Sequence, residues 1–109
     1  MTVKDVSKLD FLSPLTLPLP EREIHGIYIG DLLSWVMGRA SADCAWITIM
    51  SNINIIAVAT LADVSCIILS EGVTLDDEII STANEKGVNI LSSSLPSYET
   101  AVTVGSLLK

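Results

Sequence analysis

The sequence predicts an α/β domain of three layers, helices on both faces of a mostly parallel central sheet, and three observations lead there. The chain has 109 residues, the length of one domain spanning 1–109. Half of its residues are apolar but only 5% are aromatic, so the core must be built from Ile, Leu, Val and Ala. From residue 45 onward, short and almost purely apolar runs alternate with helical segments. That is the pattern of parallel strands buried on both faces and joined by helical crossovers.

The elements follow in order. Residues 1–20 form an irregular N-terminal segment in which Val3 to Leu9 reads as a short helix. Pro14 and Pro18 hold Phe11 to Leu19 to an extended edge segment, because each proline removes a ladder donor. Ile24 to Ile29 is a short strand stopped by Gly30, and Asp31 is placed to cap a helix from Leu32 to Arg39. Ala45 to Met50 is a β-branched strand, broken by Ser51 and Asn52 before a helix from Ile53 to Leu61. Val64 to Leu69 is the next buried strand. Thr74 and Asp77 stand at capping-box spacing before a helix that carries Asp76, Asp77 and Glu78 in its first turn and closes at Gly87. Val88 to Leu91 is a third strand, Ser92 to Ser97 a polar turn, and Tyr98 to Leu108 a last helix.

Charge and motifs exclude several functions. Thirteen acidic residues against six basic ones give a net charge of −7, and Lys4, Lys8, Arg22, Arg39, Lys86 and Lys109 form no cluster. Neither nucleic acid nor an anionic membrane is an expected partner. Cys44 to Ala62 carries no formal charge, but Ser51, Asn52 and Asn54 interrupt it, so it reads as strand and helix and not as a membrane span. The first ten residues contain four charged ones and no signal peptide, and a cytoplasmic location is expected. Cys44 and Cys66 lie in apolar runs and read as reduced core thiols. No catalytic residue, metal site or cofactor is expected. The single histidine, His25, has no nucleophile at a telling spacing, the Asp76–Glu78 run faces several ways around a helix, and no phosphate-loop glycine motif occurs.

Two features point toward binding. A parallel sheet places ligands beyond the carboxyl ends of its strands. Ser51, Asn52, Ser70, Ser93 and Ser94 fall at those ends, beside helix N-termini. The helix after Asn54 (NIIAVATLAD) is apolar nearly all round and needs cover on every side. A homodimer is expected through this helix or the neighbouring Leu32–Met37 turn, given a surface with only 17% charged residues in the chain.

The stretch Glu21 to Met37, EREIHGIYIGDLLSWVM, resembles the signature segment of the DRTGG-domain family. The likeness rests on Glu21-Arg22, Gly26, Tyr28, Gly30-Asp31-Leu32-Leu33-Ser34 and Val36. It continues through Trp46-Ile47-Thr48, Asn54-Ile55, Ala57-Val58-Ala59 and Ser94-x-x-Ser97-Tyr98-Glu99. The chain departs from the family's Thr-Gly-Gly, having Ile24-His25-Gly26-Ile27 there. The resemblance implies an α/β/α fold similar to the N-terminal domain of HPr kinase, without the kinase half and its phosphate loop. It also implies a regulatory role, since larger members attach the domain to CBS domains or phosphotransacetylase. From the signature it adds Gly26, Tyr28, Gly30 and Asp31 to the serines and Asn52 as candidate ligand-binding residues. The expected function is thus a non-catalytic regulatory domain sensing a small metabolite or nucleotide as a homodimer. The alternative is an accessory subunit that binds a protein partner.

Overall fold

In the computed structural model, which describes residues 1–108, the chain runs α1 (Val3–Val6), β1 (Leu12–Thr16), β2 (Gly26–Ile29), α2 (Leu33–Arg39), β3 (Cys44–Thr48), α3 (Asn54–Ala62), β4 (Cys66–Leu69), α4 (Asp77–Lys86), β5 (Ile90–Ser93) and α5 (Ser97–Leu107). The strands form one sheet in the order β1-β5-β4-β3-β2. The four strands from β2 to β5 are parallel, and β1 pairs antiparallel with β5. The mostly parallel α/β sheet read from the sequence is the observed fold.

The strand order sets the layers. Successive parallel strands lie side by side, so right-handed crossovers put α2, α3 and α4 on the same face. Cys44 and Trp46 of β3, Ile67 and Leu69 of β4 and Ile90 of β5 meet them there. The alternate residues Ala45, Ile47, Cys66, Ile68 and Leu91 face the other side, where Val3 and Val6 of α1 and Val104 of α5 cover them. Period-two alternation with both faces apolar is what made these strands read as continuous apolar runs.

The first twenty residues are more regular than expected. Thr2 and Asp5 close a reciprocal capping box around α1. That backbone bond to Thr2 is the main reason the exposed Asp5 carboxyl lies below the ordinary range. The register of β1 on β5 slips between Pro14 and Thr16. Thr16 repairs the slip with its side chain: Oγ1 donates to the Val88 carbonyl at 2.7 Å and accepts from the Ile90 N–H at 2.9 Å. The buried Asn89 fixes the following turn, accepting the Leu19 N–H on Oδ1 and donating from Nδ2 to the carbonyls of Leu19 and Ser65.

Two helix starts differ from the sequence reading. The N-cap of α2 is Leu32, which makes no side-chain cap, because Asp31 bonds elsewhere. The N-cap of α4 is Asp76, so the Thr74–Asp77 box does not form, although Asp77 and Glu78 do occupy the first turn. The closure at Gly87 holds: its φ is 76°, and the Val88 N–H reaches back to the Ala83 carbonyl at 2.8 Å. That wrap uses Val88 in the helix stop, so β5 begins at Ile90 and takes in Ser92 and Ser93.

Candidate ligand-binding site

The signature segment crosses the domain from one sheet edge to the other. Gly26 opens β2 at the amino edge, opposite Cys44, and Tyr28 lies within the strand opposite Trp46. Gly30 and Asp31 follow at the carboxyl edge. The Tyr28 ring leans along the strand over Gly30: a methyl group at position 30 would lie 2.9 Å from its Cε2, so any larger residue there would displace the ring. The Gly30 carbonyl accepts the buried Trp46 indole N–H at 2.8 Å.

Asp31 fastens the carboxyl edge. Its Oδ1 accepts from the Thr48 hydroxyl at 2.8 Å and the Ile49 N–H at 3.1 Å, tying the end of β2 to the end of β3. The Thr48 hydroxyl in turn accepts the Met50 N–H. Asn52 accepts the Asn54 N–H on its side-chain oxygen at 2.9 Å, so it orders the start of α3. Ser51, Asn52 and Asp31 are all exposed.

The serines divide. Ser70 is fully buried and its hydroxyl pairs with that of Ser97 at 2.7 Å. Ser93 is also fully buried; its hydroxyl pairs with Thr100 at 2.8 Å and accepts the Leu95 N–H at 3.1 Å. These hydroxyls lock β4 and β5 to the start of α5. Ser94 is exposed, with its N–H bonded to the Phe11 carbonyl. The carboxyl edge thus gathers Gly30, Asp31, Ser51, Asn52, Ser70, Ser93 and Ser94. Its exposed polar groups form two ends, Asp31–Asn52 and Ser94. Three strand spacings separate β2 from β5, roughly 14 Å.

Gly26 and Tyr28 are not part of that edge. They line a cleft of about 210 Å³ together with His25, Arg39 and Ser41. A larger groove lies elsewhere again: about 510 Å³ between α3 and α4, walled by Ile53, Ile56, Ala57 and Leu61 with Thr82 and Lys86 on the far side. It is apolar and open, and it shares no residue with either polar cluster.

The cysteines are free and buried, on neighbouring strands but opposite faces of the sheet. Burial raises the Cys44 thiol and pushes Cys66 up to about 12, so neither is a thiolate near neutrality. Among the described residues no group of three or more His, Cys, Asp or Glu converges as metal ligands. No helix among them is long and apolar enough to cross a membrane.

The residue that sequence reasoning passed over is Arg22. Its guanidinium donates to the carbonyls of Val64 and Asp63, and contacts the Asp43 carboxylate at 2.6 Å and that of Asp63 at 3.2 Å. The arginine of the signature segment's acidic-arginine pair therefore builds the amino edge. The signal that could have found it is the two solitary aspartates at the strand starts, but their meeting depends on the sheet order.

A family model for the DRTGG domain matches residues 21–107. Among solved structures, the fold is similar to that in the "crystal structure of the CBS and DRTGG domains of the regulatory region of Clostridium perfringens pyrophosphatase complexed with activator, diadenosine tetraphosphate". The TM-score is 0.66 at 16% identity, over 92% of this chain and 46% of that one. The present chain thus spans less than half of that solved chain. No curated protein matches.

Proposed function

This chain belongs to the DRTGG domain family, and on that premise we propose that it is a regulatory domain without catalysis of its own, which senses a small metabolite or nucleotide as a homodimer. The observation that carries the reading is the fold likeness to the CBS and DRTGG domains of an enzyme's regulatory region, crystallised with a nucleotide activator. The chemistry of the side chains agrees with it. The buried Ser70 and Ser93 hydroxyls are paired with those of Ser97 and Thr100 and have no base, and the thiols are held protonated.

The dimer is supported by the outer ridge of α3. The sheet, α2 and α4 bury Ile55, Ile56, Val58, Ala59 and Ala62, yet Leu61 remains 74% exposed and Ile53 43% exposed beside the apolar groove. The half-buried Gly30 and the exposed Asp31, Ser51, Asn52 and Ser94 form one candidate contact surface for the ligand, and Gly26 and Tyr28 a second. In this reading Ser70 and Ser93 shape the carboxyl edge from beneath. A cytoplasmic location belongs to the same proposal.

Thermal unfolding against a panel of nucleotides and phosphorylated metabolites tests it. A ligand at 100 times its dissociation constant adds about 2.7 kcal/mol, a rise of roughly ten degrees or more in the midpoint of a domain this size. A flat panel together with a stoichiometric protein partner on co-purification would favour the accessory-subunit reading. The open apolar groove at Leu61 is the observation that speaks for that alternative.

A further inference from the structure

We infer that the cleft at the start of β2 binds the phosphate of a small phosphomonoester, with Arg39, His25 and Ser41 as donors and Gly26 as the opening that admits it. The inference rests on the sensor reading above and gives it a site and a ligand class.

The argument begins with Arg39. Its guanidinium carbon sits 3.8 Å over the Trp35 ring, and among the described residues it has no carboxylate or carbonyl partner. It is an arginine without a carboxylate in a chain of thirteen acidic and six basic residues. The other arginine, Arg22, has two carboxylates and two carbonyls. Stacking on an indole fixes the plane of the fork while leaving its N–H edge free, an arrangement suited to an oxyanion. The full charge of Arg39 outweighs the partial negative charge at the end of the short helix that carries it.

Two more donors line the same cleft without a partner. The His25 imidazole is exposed and makes no side-chain hydrogen bond, while the His25 N–H is anchored on the Asp43 carbonyl at 2.8 Å. The Ser41 hydroxyl is likewise unbonded and exposed. No aspartate or glutamate lines the cleft. The nearby Asp43 carboxylate is already held by Arg22. Guanidinium, imidazole and hydroxyl come from two segments of chain, residue 25 and residues 39–41, a donor set matched to the three free oxygens of a phosphomonoester more than to the two of a carboxylate.

Gly26 is the independent observation. It opens β2, where a residue without a side chain leaves room for a close approach to the backbone. Its φ is not in the left-handed region, and a methyl group built on it meets nothing within 4 Å. Neither backbone conformation nor packing in the folded chain asks for glycine, and what its missing side chain leaves open is this cleft. At about 210 Å³ the space is smaller than the ~300 Å³ at which drug-sized ligands begin. The ligand is therefore a phosphate on a small body.

The test is amide NMR titration of the full chain with glycerol 3-phosphate, with inorganic phosphate and glycerate as the phosphate-only and carboxylate controls. Saturable shifts confined to residues 25–28 and 39–43 are expected, with glycerate at least several-fold weaker. Arg39→Gln and Gly26→Val should each weaken binding tenfold or more, and Gly26→Val should melt no lower than the parent, since it only fills open space. Unchanged affinity in both variants, or shifts confined to Asp31–Asn52 and Ser94, overturns the inference and leaves the sensor reading standing. No saturable shift here together with a flat thermal panel overturns both.

Discussion

Arg22 and Asn89 show how single polar side chains hold what no local pattern could. Arg22 bridges Asp43 and Asp63, which occupy left-handed backbone at φ 64° and 57° before β3 and after α3. Aspartate tolerates that region better than bulky residues do. Arg22 thus joins the segment preceding β2 to the starts of two strands far along the chain. Asn89 is 1% exposed and makes three hydrogen bonds that pin residue 19 to β5 and β4. Cys66 carries the prediction at this scale. Its thiol is pushed from 9.0 up to about 12 by burial. A folded-state value raised above the unfolded one means that the unfolded chain loses the proton first. The stabilisation is complete below about pH 9 and is lost as the pH climbs through about 12. Each pH unit in that window costs about 1.4 kcal/mol. Urea unfolding under reducing conditions at pH 7, 9 and 10.5 should show wild type losing stability relative to Cys66→Ala by that order above pH 9. Parallel curves for the two proteins would show that this thiol does not report the burial.

At the scale of elements, the strands and helices were legible because periodicity survives without knowledge of the fold. Ala45 to Thr48 and Ile67 to Leu69 are apolar on both faces wherever they sit. The helix starts were less legible, because a cap is a competition. Asp31 has the composition of an N-cap, but the Thr48 hydroxyl and Ile49 N–H, seventeen and eighteen residues on, take its carboxylate. The candidate site was legible only as positions along the chain. Ser93 has the composition and setting of a turn residue, and its pairing opposite Leu12 of an antiparallel edge strand makes it a buried strand residue. The family signature groups Gly26 with Asp31, although the length of β2 puts them at opposite edges. The apolar α3 was read as needing cover on all sides, and the sheet, α2 and α4 supply it except along Ile53, Ala57 and Leu61, one ridge at four-residue spacing. Leu61→Glu therefore places a charge where the proposed dimer requires apolar contact. At 74% exposure the change should alter monomer stability by no more than about 0.5 kcal/mol. Light scattering should then give a dimeric mass for the parent and a monomeric one for the variant at the same micromolar concentration. A variant that stays dimeric removes this ridge from the interface.

For the whole molecule, the balance between charge and apolar surface decides association. Each copy carries −7, and its longest dimension is 31 Å. Residues 44–62, which include all of α3, contribute no formal charge, so α3 itself brings no carboxylate to a contact between two copies. Their charges still repel through solvent. The Debye length is about 30 Å at 0.01 M salt and about 8 Å at 0.15 M. At the lower salt the carboxylates of one copy are felt across the whole of the other, and at the higher salt only near neighbours count. An apolar interface between two such acidic bodies should therefore tighten as salt is added, since screening removes repulsion while burial of apolar surface is not weakened. Sedimentation velocity at fixed protein concentration should show the dimer fraction rising between 0.01 and 0.15 M sodium chloride. An interface built on ion pairs would respond in the opposite sense. A dimer that dissociates as salt is raised would thus place the contact on the charged amino edge around Arg22, Asp43 and Asp63, and leave the α3 groove open for a different protein.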